Sequence, residues 1–406
     1  MNTSVTVTDI RRARERFDPD IVRETPVERS RSLSEMSGAD VRLKMEHLQR
    51  TGSFKTRGAS NRIAEIAAED AADRVVAASA GNHAQGVALA ATNAGIPATV
   101  VMPTDAPQAK VDATRGYGAE VVLHGQEFQT AVARARELAD EDGTVFVHAY
   151  DDRAIVAGQG TLGLELAEQV PDLDTVIVPI GGGGLIAGIS TALASVAPSV
   201  RVVGVQAEEA ATVPESLQKG EPVDREHTRT IADGIATGGV ADLTYDLIER
   251  HVDEVITVSD DEIAHAILTL LRRAKQLVEG AGAASVAGLL SGRLDVNDET
   301  VVPLLCGGNI DMSMLDTVLE HAMTDRDQLL RLRVRIEDEP GELSTLSSTL
   351  ADHGANVRHV RHDRAVEDLR VGEAYLVFEV SAAGREHTTR LIDAIADRGY
   401  EVARVN

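Results

Sequence analysis

Ile180-Gly181-Gly182-Gly183-Gly184-Leu185 sets four consecutive glycines between an apolar β-run and a helical pattern. Lacking Cβ atoms, such a turn can point its N–H groups inward, and the helix start adds positive potential, so it suits a phosphate. Gly182, Gly184 and Ala187 also fit G-x-G-x-x-A, with Glu208 downstream for a ribose hydroxyl, which leaves a dinucleotide open. No Lys follows, so a P-loop is excluded. Gly52-Ser53-Phe54-Lys55-Thr56-Arg57-Gly58-Ala59 offers a different chemistry. A Lys beside an aromatic ring and small neighbours can lose hydration, which favours the neutral, nucleophilic amine; the plainer reading is a solvated surface ammonium. Lysines occur only at 44, 55, 110, 219 and 275, so amine chemistry has few candidates. In Ser79-Ala80-Gly81-Asn82-His83-Ala84-Gln85-Gly86 a strand turns into a helix, and its N–H groups suit a carboxylate while Asn82 adds an amide. The plainer reading makes Asn82 a helix cap and His83 a partly exposed first-turn residue.

Positioning these turns requires alternating strands and helices. Apolar β-runs lie at 75–78, 98–102, 121–123, 145–147, 175–179, 200–206, 255–258 and 300–305. Helical patterns fall between them at 83–94, 107–115, 129–141, 161–169 and 185–196. Ser259-Asp260-Asp261-Glu262 is a capping box for another helix, while 214–241 reads as irregular. Such alternation predicts an α/β fold with parallel sheet covered by helices. Past residue 325 the order becomes βαββαβ, with strands at 330–336, 357–362, 375–380 and 401–405 and helices at 343–353 and 385–398, the ferredoxin-like arrangement.

The 406 residues suffice for two or three domains, and with 2% aromatics and no Trp the core must be Val, Ile, Leu and Ala. A net charge of −25 disfavours nucleic acid and anionic membranes. With Arg dominating the basic residues, it suggests a halophilic protein of a salt-rich cytoplasm. No long apolar run or basic-then-apolar start is present, so a soluble cytoplasmic protein is expected. The single cysteine, Cys306, excludes an internal disulfide framework and any multi-thiolate metal site.

Taken together, Lys44-Met45-Glu46-His47-Leu48-Gln49, the Ser53-Phe54-Lys55 stretch, the Ser79 to Gly86 turn, Gly158-Gln159-Gly160-Thr161, Gly181 to Leu185, Ala232-Asp233-Gly234 and Cys306-Gly307-Gly308-Asn309 resemble the threonine/serine dehydratases. These are fold type II enzymes using pyridoxal 5′-phosphate (PLP), tryptophan synthase β-like with two open α/β subdomains. Asp338-Glu339-Pro340-Gly341-Glu342-Leu343 and Gly354-Ala355-Asn356-Val357 resemble an ACT domain. The order of parts is similar to the medium-length threonine ammonia-lyases with one ACT domain. It implies a catalytic domain over 1–323 with a smaller subdomain at about 51–150, a linker at 324–328 and a regulatory domain over 329–406.

The resemblance implies that Lys55 holds PLP and removes the substrate α-proton. Gly181, Gly182, Gly183, Gly184 and Leu185 would bind the cofactor phosphate, Asn82 its ring oxygen and Cys306 its pyridine nitrogen, with Phe54 and Gly234 against its faces. Ser79, Ala80, Gly81, Asn82 and His83 would take the substrate carboxylate, with Glu279 a secondary candidate. Racemases of the family carry a Ser where Ala80 stands, so racemisation is disfavoured. Gln206 and Thr212 stand where several relatives place acidic cation ligands, so no metal is expected. Asp338, Pro340, Gly341, Glu342 and Leu343 would form an effector site for isoleucine or valine, in a homodimer or homotetramer. The implied reaction is elimination from L-threonine to 2-oxobutanoate and ammonia, with L-serine a poorer substrate. A serine or 3-hydroxyaspartate dehydratase, an ACT-containing NAD-dependent dehydrogenase and a non-catalytic amino-acid binder remain as alternatives.

Overall fold

In the computed structural model, which describes residues 4–225 and 228–405, the chain forms two compact units, Met1–Asp311 and Met312–Asn406. Glu226 and His227, inside the stretch expected to be irregular, lie outside the described residues.

The first unit carries two sheets. Its six-stranded sheet runs Val27–Arg29, Asp40–Lys44, Thr300–Pro303, Thr175–Pro179, Arg201–Ala207 and Glu254–Val258 in spatial order, parallel except for the antiparallel Val27–Arg29 edge. The four-stranded sheet runs Glu120–Leu123, Ala98–Met102, Arg74–Ala78 and Thr144–Phe146, all parallel. Buried parallel strands need apolar side chains on both faces, and Ala98–Met102 and Thr175–Pro179 are buried throughout. In each sheet the chain reverses its direction of travel: between Arg74–Ala78 and Thr144–Phe146 in one, and between Thr175–Pro179 and Thr300–Pro303 in the other. Such switch points leave a crevice beyond the carboxyl ends of the strands. Ser79–Asn82, Gly181–Gly184 and Cys306–Asn309 follow those strand ends.

Helix Arg153–Gln169 begins well before the expected 161, capped by Asp152, whose Oδ1 accepts from the N–H groups of Ala154 and Ile155. Its glycines are contacts and not breakers. A Cβ on Gly158 would lie 2.7 Å from the Cα of Gly58 in helix Lys55–Ala68, and one on Gly188 would lie 2.4 Å from Val156 O. The stretch expected to be irregular includes helix Val213–Lys219, with Pro214 in its first turn.

The second unit has an antiparallel sheet in the order Asn356–Asp363, Glu373–Ser381, Leu329–Glu337, Glu401–Val405, with helices Glu342–Asp352 and Arg385–Ala396. Leu332, Val334, Leu346, Phe378 and Leu391 contribute to its core. Helix Met312–Asp325 groups with this unit, where Glu320 pairs with Arg358 at 3.7 Å. The division therefore falls before that helix, and the expected linker 324–328 contains the helix end.

Candidate active site

Lys55 opens helix Lys55–Ala68. Its approach is stitched to the end of Thr300–Pro303: Phe54 N–H donates to Cys306 O at 3.0 Å, and Ser53 bridges to Gly307. The partly buried Lys55 donates from Nζ to Ala149 O at 3.2 Å, with Nζ 5.2 Å from the centre of the Phe54 ring. Loss of hydration brings its pKa down to about 8, against the pull of Cys306 and Glu279.

Tyr150, the chain neighbour of Ala149, packs against the glycine turn. A Cβ on Gly182 would lie 2.3 Å from the Tyr150 ring, and one on Gly184 would lie 3.0 Å from its Cβ. Gly183 has φ +86° at the cap of helix Gly184–Val196, whose first N–H groups have no acceptor within the helix. Leu185 is buried. A Cβ on Gly181 would meet the Cα of Ile235 at 3.0 Å, next to Gly234, so the glycine turn also adjoins the 233–235 segment.

In the Ser79 turn, Ser79 Oγ accepts from Gly81 N–H at 3.2 Å, and Ala80, Gly81 and Asn82 are partly exposed. His83 differs from the partly exposed expectation. It is 4% exposed, and its Nε2 donates to Val147 O at 3.0 Å. Burial, with the Lys55 charge nearby, lowers its pKa to about 3, so the ring is neutral and committed to the core. Cys306 is also buried, and burial together with Glu279 pushes its thiol up, leaving it protonated near neutral pH.

Glu279 is the buried acid of this region. Its Oε1 accepts from Asn82 Nδ2 at 2.8 Å, and a Cβ on Gly307 would crowd that same oxygen. Burial and Asp233 raise its pKa to about 7, while the Asn82 bond opposes the shift. A Cβ on Gly234 would lie 3.6 Å from Glu279 Oε1 and 3.0 Å from the Ala281 Cβ. Asn309 Nδ2 donates to Asn82 Oδ1 at 2.8 Å and to Thr51 O at 2.6 Å.

Thus Phe54, Lys55, Asn82, Gly181–Gly184, Gly234 and Cys306 are linked through contacts within the first unit. Asp338, Pro340, Gly341, Glu342 and Leu343 belong to the other unit, where Gly341 (φ +109°) caps helix Glu342–Asp352 and Arg364 pairs with Asp338 at 2.6 Å. Gln206 uses its Oε1 to accept from the N–H groups of Thr212 and Val213, at 3.1 and 2.9 Å. Sequence reasoning gave no role to Tyr150 or Asn309. The Gly-Gly-Asn following Cys306 was the available signal for Asn309, whereas nothing local distinguishes Tyr150.

Residues 19–307 match the pyridoxal-phosphate dependent enzyme family, and residues 330–403 match the ACT domain. The chain is 44% identical to an L-threonine ammonia-lyase of Thermotoga maritima, over 98% of this chain and 99% of that one. Among solved structures, the processed form of threonine deaminase isoform 2 from Solanum lycopersicum is similar with a TM-score of 0.74 at 36% identity, over 78% of this chain and 87% of that one. Maize serine racemase also gives a TM-score of 0.74, at 34% identity, over 80% of this chain and 99% of that one. A crevice at two switch points, an amine of lowered pKa and a four-glycine turn agree with these matches, and the chain belongs to the pyridoxal-phosphate dependent enzymes of fold type II, with an ACT domain following the catalytic unit.

Proposed function

We propose that the chain eliminates the β-hydroxyl of L-threonine to give 2-oxobutanoate and ammonia, with L-serine as a poorer substrate. The observation that carries this reading is the Lys55 amine at the Ala149 carbonyl, whose neighbour Tyr150 packs on a glycine turn that has no room for side chains; burial lowers the amine's pKa to about 8. The residues fit PLP: an amine for its carbonyl, free helix-start N–H groups for its phosphate, and a neutral thiol near the amine. When bound, PLP supplies a sink for the electron pair left as the substrate Cα–H bond breaks.

Lys55 Nζ would hold the cofactor and, as a free amine, would take the substrate α-proton, for which a pKa of about 8 is suited. The N–H groups of Gly181 to Leu185 would bind the phosphate, Asn82 would donate to the ring oxygen, and the Ser79 to His83 turn would orient the substrate carboxylate. Phe54 and Gly234 would border the ring. Cys306, as a thiol, would be a weak partner for the pyridine nitrogen and would not enforce its protonation, which favours elimination over amino-group transfer. The methyl of Ala80 holds no proton for the opposite face, which favours loss of the hydroxyl over racemisation.

Steady-state turnover of threonine, serine and 3-hydroxyaspartate, read as 2-oxo acid formed, tests the substrate. Threonine should have the highest kcat/KM; a higher value for either competitor overturns this choice. Isoleucine or valine, either of which reports on the branched-chain pathway that 2-oxobutanoate feeds, is the expected effector, binding at Asp338, Pro340, Gly341, Glu342 and Leu343 in a dimer or tetramer. Titration of the full chain with each amino acid should shift the threonine dependence, and threonine should shift effector binding reciprocally. Absence of both binding and kinetic response removes the regulatory reading. The acidic, Arg-rich composition supports a salt-rich cytoplasm, and no helix among the described residues is long and apolar enough to cross a membrane.

A further inference from the structure

An asparagine amide has two orientations of nearly identical shape, one presenting its oxygen where the other presents its nitrogen. For a side chain serving an anionic ring oxygen the choice matters, because only the NH2 group donates. The surroundings of Asn82 settle that choice through two anchors.

The first anchor begins at backbone that cannot be turned over. Asn309 Nδ2 faces Thr51 O at 2.6 Å, Asn82 Oδ1 at 2.8 Å and Gln85 Oε1 at 3.5 Å. The Thr51 carbonyl accepts only, so it fixes the Asn309 nitrogen as donor. That nitrogen then requires an oxygen from Asn82. The second anchor is Glu279, whose Oε1 accepts from Asn82 Nδ2 at 2.8 Å. Turned over, Asn82 would set oxygen against the carboxylate and NH2 against the Asn309 NH2. The Asn309 contact would then be repulsive, and so would the Glu279 contact while its carboxylate is ionised.

We infer that Glu279 and Asn309 are positioning residues that hold Asn82 in the single amide orientation leaving its second N–H as donor for the cofactor ring oxygen. This rests on the PLP reading of the site and extends it to two residues that need not touch the ring. The network also spans the architecture. Asn82 opens helix Asn82–Ala94 after a strand of the four-stranded sheet, Glu279 precedes helix Gly280–Leu290, and Asn309 follows a strand of the six-stranded sheet.

Glu279→Gln is the sharp probe because it keeps the shape and removes the charge. One of its two ends is an NH2 where the carboxylate has an oxygen, and its remaining amide oxygen accepts from Asn82 more weakly than a carboxylate does, so the hold on the Asn82 orientation loosens. The experiment is a double-mutant cycle of Glu279→Gln and Asn82→Ala in the full chain, with Asn309→Ala as a second entry into the network. The readouts are the PLP dissociation constant, the absorption band of bound PLP, and the melting temperature of the cofactor-free protein. Glu279→Gln alone should weaken PLP about tenfold, the scale of one hydrogen bond to a charged group, and shift the band. In the Asn82→Ala background it should add less than about twofold, since coupled residues are not additive. Asn309→Ala should act in the same direction and be equally silent in that background. Independent, multiplying effects overturn the inference, as does an unchanged dissociation constant and band in Glu279→Gln when Asn82→Ala changes both. A fall in melting temperature with unchanged PLP binding also overturns it, marking Glu279 as structural. If wild-type protein binds no PLP, the underlying reading fails first, and the inference with it.

Discussion

Two residues apart on one helix, Lys55 and Arg57 are buried to opposite ends. Arg57 is fully buried, with its Nε 2.8 Å from Glu46 Oε2 and its Nη1 2.6 Å from Glu165 Oε1; Lys44, also fully buried, meets Glu165 Oε2 at 2.7 Å. Each cation there has an anion, and hydrogen bonds from Thr25 and Gln49 reach Glu46 as well. Glu46 is accordingly held below the usual carboxylate range by Arg57 and Lys44, against the cost of its burial. Among the described residues, the Ala149 carbonyl is the one hydrogen-bond partner of Lys55 Nζ, and Glu279 and Cys306 are pushed toward their neutral forms. Where every buried charge is paired, the ions hold structure; where pairing is withheld, burial changes protonation, and reactivity follows.

Substitution at the two lysine and arginine positions should separate these roles. Lys55→Ala removes both the cofactor tether and the base, so ammonia release should fall by more than the roughly 10²–10⁴ of acid–base catalysis alone. Near-normal release would break the contrast outright. Arg57→Met leaves Glu46 and Glu165 buried without their main partner and should cost about 3–5 kcal/mol of stability in chemical denaturation. A loss below about 1 kcal/mol would show that the paired cluster is dispensable.

The next effect is smaller and has the opposite sign. Because the folded-state pKa of Lys55 is lowered to about 8 from 10.5, folding disfavours its ammonium form. That penalty is complete below about pH 8 and is relieved as pH rises from 8 toward 10.5. Cofactor-free Lys55→Met should therefore melt above wild type at pH 7, with the gap closing toward pH 10. A gap that is constant with pH would contradict the lowered pKa. By the same logic, the rate at which cofactor-free wild type captures PLP should climb through pH 8, and a midpoint near 10.5 would carry the same contradiction.

Legibility in the sequence followed the range of the physics. Turns such as Gly181–Gly184 and Ser79–Asn82 are local devices, and the βαββαβ order past residue 325 rests on local alternation, so both could be read directly. The helix expected over 161–169 starts at Arg153 and runs through Gly158 and Gly160, because the contact of Gly158 with Gly58 overrides the low helix propensity of glycine. Arg57 and Glu46 look like solvated charges in a one-dimensional string, since their shared burial depends on Glu165, far along the chain. His83 likewise gives no local sign that Val147 will hold its ring in the core. Asn309 was visible as part of a motif, but its purpose depends on Thr51 and Asn82, both more than 200 positions earlier.

The backbone contact between Gly58 and Gly158 also bears on how firmly the nucleophile is held. The two helices meet there backbone to backbone, and the crossing is pinned by side chains, with Gln159 Oε1 accepting from Gly58 N–H at 3.2 Å and Arg57 reaching Glu165 at 2.6 Å. Lys55 is three residues from Gly58, about 4.5 Å along the helix axis. The reactive amine thus begins less than one turn from a crossing that leaves its helix no slack, a rigid footing for a nucleophile.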